Sequence, residues 1–314
     1  MPSTKFAHHA PSPWAKGAIK ASMLSHRINQ LIDALSSESF DRQPFQDLYL
    51  SIHQELEEGT GVIFVPDSAF KKLNKTEKKE VFLKFSEFMG QAVPLNKAGE
   101  LIREVKDTGL KDSVEKPARG HLTDQSLAFH SDRADITAMV CESVPEQGGE
   151  FKICSSANLL AALRAHPEAL KVLTSDIPHD LRDEGNSDAE ICYHPIISEH
   201  PSFVVRYIRK FVDSIVRHGM TVDPKIAAAL HTVDTILNTE GFFEEIHFNP
   251  GDFIFFNNHI TLHARNAFIN SEDKQRCLLR IWIASEFTRP LPDSFKPIFH
   301  SVEAGSHRGG VVGQ

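Results

Sequence analysis

The chain has 314 residues, 41% of them apolar and 24% charged, with a formal net charge of -8. That apolar fraction is enough for a large buried core, and net acidity without a long basic run excludes the phosphate-neutralising footprint of a nucleic-acid binder. No run of about 18 apolar residues is present to span a membrane.

In chain order, residues 1–20 are rich in Pro, Ala, Ser and His and predict an irregular N-terminal arm. Apolar residues at helical spacing over Ser25–Ser37 predict a helix, and TGVIFVPD, from Thr60 to Asp67, a short buried strand. Asn74 with Glu77 three residues later predicts a capped helix whose apolar stripe is Val81, Phe82, Phe85, Phe88 and Met89, closed by Gly90. The run from Leu127 to Cys141 predicts strand. A helix starting near Ser155 or Ser156 would turn Leu159, Leu160 and Leu163 inward. Another opens with Asp223 as cap and Pro224 in the first turn, carries Ile226, Leu230, Val233 and Leu237, and ends near Gly241. Phe242 to Phe256 predicts a hairpin around Asn249-Pro250-Gly251-Asp252, and Gln275 to Ser285 an alternating strand. Residues 301–314 predict a flexible C-terminal tail.

Widely separated strands joined by helical insertions suit an α+β chain with a mainly β core: a rolled antiparallel sheet with helices packed outside. A doubly wound parallel sheet would need regular strand–helix alternation. Residues 21–300 are expected to form a single domain. Cys141, Cys154, Cys192 and Cys277 are scattered without CxxC spacing, which excludes a cysteine-rich zinc cluster and suits a reducing compartment. With no apolar signal segment at the start, the expected address is cytoplasmic.

Three segments can carry chemistry. In Phe129-His130-Ser131-Asp132, residues i and i+2 of a strand share a face, so an imidazole and a carboxylate can converge; such pairs also arise by chance. In Phe255-Phe256-Asn257-Asn258-His259-Ile260-Thr261-Leu262-His263-Ala264-Arg265, an apolar strand runs into a histidine-bearing turn, and His263 could close the third corner. Two histidines and one carboxylate leave three positions of a metal open, as in non-haem Fe(II) oxygenases. The plainer alternative makes His259 and His263 hydrogen-bonded turn residues. In Gln275-Arg276-Cys277-Leu278-Leu279-Arg280-Ile281-Trp282, Arg276 and Arg280 share a face of an apolar strand, their Cα atoms roughly 13 Å apart. Buried arginines need anions: either the ends of an elongated dicarboxylate site, bound bidentately, or internal acids such as Asp252 or Glu286.

With these residues in place, the sequence resembles the TauD/TfdA family of Fe(II)/2-oxoglutarate dioxygenases. The matching blocks are HLTDQSLAFHSDRADITAMVC, VPEQGGEFKICSSANLL, FNPGDFIFFNNHITLHAR and RCLLRIWIASEFTRPLP, in family order and covering roughly Gly120 to Pro292. The resemblance implies a double-stranded β-helix, or jelly roll, flanked by α-helices. It implies Fe(II) held by His130, Asp132 and His263, with 2-oxoglutarate and O2 as cosubstrates. Arg276 then matches the arginine that binds the far carboxylate of 2-oxoglutarate. Arg280 matches the second family arginine, which meets the near carboxylate or an anionic substrate group. Phe151 departs from the pattern, because many relatives carry a Thr or Ser there that helps hold 2-oxoglutarate. Asp132 is kept, whereas related halogenases have Gly or Ala in its place. The implied reaction oxidises, typically by hydroxylation, a small substrate, anionic or amino-acid-derived, with release of succinate and CO2. Gln125, Ser126, His194, Arg206 and Asn258 are candidate substrate contacts. The expected partner is a small molecule, with neither nucleic acid nor membrane, and a homo-oligomer is compatible with the sequence. The rival readings are a catalytically silent jelly-roll binding protein and a metal oxygenase that does not use 2-oxoglutarate.

Overall fold

Residues 6–109, 122–182 and 189–311 are described by a computed structural model. The first five residues of the expected arm, the last three of the expected tail, and Gly120 and His121 at the head of the first motif block lie outside this set. Two antiparallel sheets face each other. The larger runs Val62–Val65, Phe253–Asn257, Ile136–Ser143, Cys277–Ala284 and Gln91–Val93, with Ile102–Val105 also pairing the long Cys277–Ala284 strand. The smaller runs Glu244–Ile246, Phe151–Ser155, Thr261–Arg265 and Leu127–His130.

Period-2 alternation along the strands sorts the side chains into layers. Ile136, Ala138, Val140, Phe253, Phe255, Leu279, Ile281 and Ile283 point outward from the larger sheet into a core shared with the helices Ser25–Leu35, Gln46–Glu58 and Lys75–Met89. Their neighbours Met139, Ile254, Phe256 and Leu278 face Phe151 and Ile153 of the smaller sheet. On the far side, Phe129, Cys154, Leu262 and Ala264 pack with the helices Ser156–Leu163 and Pro224–Leu237. The result is a double-stranded β-helix between two helical layers. Asn74 forms the full capping box with Glu77, and Ser155 and Asp223 cap their helices as their side-chain oxygens suggest.

Four expectations need correction. The Leu127–Cys141 run is two strands in different sheets, because residues 131–135 bond elsewhere: the Ser131 N–H donates to the Tyr207 carbonyl and the Asn258 N–H to that of Asp135. Phe242–Phe256 is not a hairpin. The turn is tight, with Gly251 at φ 93 and the Asn249 N–H held by Asp252 Oδ2 at 2.8 Å. Asp252 Oδ1, however, takes the Asp67 N–H, and the Asp252 carbonyl takes the Cys141 N–H, so the second strand is drawn into the larger sheet. The helix from Pro224 stops at Leu237, where the Asn238 side chain donates to the Asp234 carbonyl. The supposed tail is packed over 308–311, all four residues being buried. Its polar composition suggested mobility, yet its arginine meets a buried acid (Arg308 Nε–Asp135 Oδ1, 2.8 Å). Residues 6–20 of the N-terminal arm are irregular, with Trp14 Nε1 donating to the Thr60 carbonyl.

Three buried histidines couple this packing to pH. Burial pushes His53 down to about 4 and His179 to about 3; His194, stacked on His179 at 3.7 Å, moves the same way through burial and its neighbour. The unfolded chain takes up these protons near the ordinary value of about 6.5, so the folded state binds fewer protons below it. Stability from these groups is therefore complete above about pH 6.5 and lost as pH falls toward 4. Denaturant midpoints at pH 7, 6 and 5 should fall progressively; a flat profile would contradict the assignment.

Candidate active site

His130, the last residue of its strand, pairs across the ladder with His263 in Thr261–Arg265, and their ring centroids stand 4.2 Å apart. Asp132 lies beyond the strand end, so strand pleat does not aim it. Instead its N–H donates to Asn258 Oδ1 at 3.0 Å, while Arg206 Nη1 donates to the Ser131 and Asp132 carbonyls at 2.9 and 3.0 Å. Asp132 Oδ1 comes to 4.0 Å from His130 Nε2, and Oδ2 to 3.8 Å from His263 Nε2. One donor atom from each of the three residues lies within 4.8 Å of the others.

Their protonation suits metal binding. The His130 ring sets Nδ1 against the Ala128 carbonyl at 2.9 Å, leaving Nε2 with its lone pair toward the other two. Burial lowers the His130 pKa; burial, reinforced by His130, pushes His263 down to about 3. Burial alone would raise Asp132, but the Arg280 guanidinium first, and then the Trp282 N–H, hold the carboxyl well below the usual range. Trp282 Nε1 and Thr137 Oγ1 both donate to Asp132 Oδ2 at 2.9 Å, and Arg280 Nη1 lies 3.5 Å from Oδ1. Two neutral imidazoles and an ionised carboxylate form the donor set that divalent iron accepts, with coordination positions left open.

Arg280 thus pairs with Asp132, not with Asp252 or Glu286; Asp252 caps its turn and Glu286 takes the Tyr49 hydroxyl. Arg276, at the head of the same strand, is buried against the Phe268 ring with Nη1 lacking a hydrogen-bond partner among the described residues. Burial, then Arg265, lowers its pKa to about 9, so it stays cationic at neutral pH. A cavity of about 200 Å³ adjoins Arg276, Gly149 and Phe248.

The five expected substrate contacts divide. Asn258 and Arg206 hold the backbone of the Asp132 loop. His194 is buried against His179 and Phe295. Gln125 and Ser126 are exposed, the Gln125 carbonyl accepting from Arg265. His259 is the hydrogen-bonded turn residue, bound to Asp135 at 2.8 Å, whereas His263 is not. Sequence reasoning missed Thr137 and Trp282; Trp282 sits two residues after Arg280 on one strand face, a readable signal.

A family model described as "Taurine catabolism dioxygenase TauD, TfdA family" matches residues 35–282. The chain belongs to this family. With the family comes its class, the 2-oxoglutarate-dependent non-haem iron dioxygenases. FR-33289 synthase of Streptomyces rubellomurinus (strain ATCC 31215) is 28% identical over 250 residues, 77% of this chain and 74% of that protein. An asparagine oxygenase in complex with Fe(II), 2S,3S-3-hydroxyasparagine and succinate shares the fold at TM-score 0.62 and 14% identity, covering 82% of this chain and 90% of that one. The non-heme iron oxygenase OrfP with Fe and alpha-ketoglutaric acid gives 0.58 and 14%, over 84% and 92%.

Against the family pattern, Phe151 fills the usual hydroxyl position and stacks on His263 with ring centroids 5.8 Å apart. The GGE turn before it has a steric purpose. Gly149 is at φ 77, and a Cβ there would come to 3.0 Å from Arg276 Cδ and Nε. Gly149→Ala should cost about 1–2 kcal/mol of stability from backbone strain, read as a lower denaturant midpoint; an unchanged midpoint would show the turn to be tolerant.

Proposed function

We propose that this protein hydroxylates a small anionic or amino-acid-derived molecule, with His130, Asp132 and His263 as iron ligands and Arg276 as receptor for the far carboxylate of 2-oxoglutarate. The carrying observation is the convergence of the three donor atoms within 4.8 Å beside Arg280. When bound, iron and 2-oxoglutarate would let O2 act as the oxidant: 2-oxoglutarate would be oxidised to succinate and CO2, with one oxygen atom of O2 entering succinate and the other a substrate C–H bond.

The chain's own residues position and insulate. Trp282 and Thr137 occupy Asp132 Oδ2, leaving Oδ1 the coordinating capacity. Phe151 and Phe256 flank His263 and keep water from its ring. Arg276 presents a fork suited to bidentate carboxylate binding, while Arg280 stands near the donor set for the near carboxylate or a substrate anion. An amino-acid-like substrate is supported by the hydroxyasparagine and hydroxy-L-Arg complexes of the fold neighbours. Four buried free cysteines support a cytoplasmic setting, and among the described residues no helix is long and apolar enough to cross a membrane.

The decisive assay is succinate release from 2-oxoglutarate with Fe(II), stimulated by members of an amino-acid and organic-anion panel. In that assay Arg276→Ala should raise the half-saturating 2-oxoglutarate concentration by on the order of 100-fold, with Co(II) affinity nearly unchanged. Equal loss of cosubstrate and metal binding would count against the role given to Arg276.

A further inference from the structure

The residues that follow Asp132 are fastened by the segment from Arg308 to Val311. Arg308, 1% exposed, donates from Nε to Asp135 Oδ1 at 2.8 Å, and from Nη2 to Thr288 Oγ1 and the Arg289 carbonyl at 2.8 and 2.7 Å. Its Nη1 reaches the Val302 and Glu303 carbonyls at 3.4 and 3.2 Å. Asp135 also receives His259 Nε2 at 2.8 Å and the Ser285 N–H at 3.1 Å. Its carbonyl takes the Asn258 N–H, and the Asn258 side chain takes the Asp132 N–H.

Past Arg308 the chain binds the same loop at one point and its surroundings at two more. The Gly310 N–H donates to the Arg133 carbonyl at 2.8 Å, the Gly309 N–H to that of Phe299 at 3.1 Å and the Val311 N–H to that of Pro94 at 2.8 Å. A Cβ on Gly309 would stand 2.8 Å from the Arg133 carbonyl oxygen, and one on Gly310 2.8 Å from that of Pro94, so both glycines are needed for this approach. Arg206 grips the loop on its other side, through Ser131 and Asp132.

We propose that Arg308, with the 309–311 segment behind it, is a positioning element of the metal site, holding residues 133–135 so that the Asp132 carboxylate meets His130 and His263. It rests on the reading of those three residues as iron ligands. The physical reason is the intolerance of buried charge. Without Arg308, Asp135 keeps, among the described residues, His259 and the Ser285 N–H in a dry interior, and the backbone must shift to hydrate it. A shift of about 0.5 Å at a ligand suffices to spoil coordination.

The test uses the full chain, Arg308→Ala, Arg308→Lys and a chain ending at Gly309. Co(II) titrations followed by visible absorption are run well below each thermal midpoint, with 2-oxoglutarate affinity measured on the metal-loaded protein. Arg308→Ala and the shortened chain should weaken Co(II) binding by on the order of tenfold or more. Arg308→Lys, which keeps the buried cation, should weaken it less. Cosubstrate affinity of the loaded form should hold, because the Arg276 end is untouched. Wild-type Co(II) affinity in the folded variants, with only a lowered midpoint, overturns the proposal; should Arg308→Ala not fold, the other two decide it. His263→Ala separates the readings: if it binds Co(II) like wild type, the metal-site assignment fails first.

Discussion

One buried negative charge organises the interior. Taking a carboxylate out of water costs several kcal/mol unless charge and hydrogen bonds replace its hydration. Trp282 and Arg280 from the long central strand and Thr137 from the strand beside it reach the Asp132 carboxylate. Asn258, in the turn before Thr261–Arg265, takes the residue's backbone N–H, and Arg206 donates to its backbone carbonyl. These partners are far apart in sequence, so the carboxylate can be satisfied only in the closed double sheet. The same arrangement keeps both imidazoles neutral, since burial beside cations disfavours a further positive charge.

This explains which features were legible beforehand. Helix caps such as Asn74–Glu77 and Ser155 are local, and their chemistry is written within four residues. The alternation of Leu278, Arg280 and Trp282 against Leu279, Ile281 and Ile283 is likewise local, and it separates site from core directly. His130, His263 and the two arginines stand out in the sequence because each departs from an apolar strand pattern, and Asp132 because its block resembles one family's. Sheet exchange was not legible. The turn at Asn249–Asp252 has hairpin chemistry, yet Asp252 is held by Asp67 and Cys141, contacts without a sequence period. Arg308 was hidden for the same reason: within a Gly- and Ser-rich stretch nothing signals that one arginine has a buried acid 173 residues away. Burial of a charge is decided by its partner, and partners at that separation belong to the tertiary fold.

Two of the expected substrate contacts are engaged within the protein. Arg206 interrupts an apolar run, which marks a buried cation needing acceptors, and it finds them in the Ser131 and Asp132 carbonyls. His194 finds a stacked neighbour, His179. In both, a polar residue in an apolar setting reports a constraint on the backbone or the packing. Polar interruption therefore identifies what must be satisfied inside; it does not say whether ligand or protein does so.

The charge inventory around the donor set bears on its protonation. Asp132 and Arg280 pair at 3.5 Å, Arg206 lies against the Asp132 carbonyl, and Arg276 and Arg265 are further buried cations close to one another. In that field of arginines, and out of water, an ionised Asp132 and neutral imidazoles are the favoured states. These are the states in which the three side chains offer lone pairs to a divalent metal.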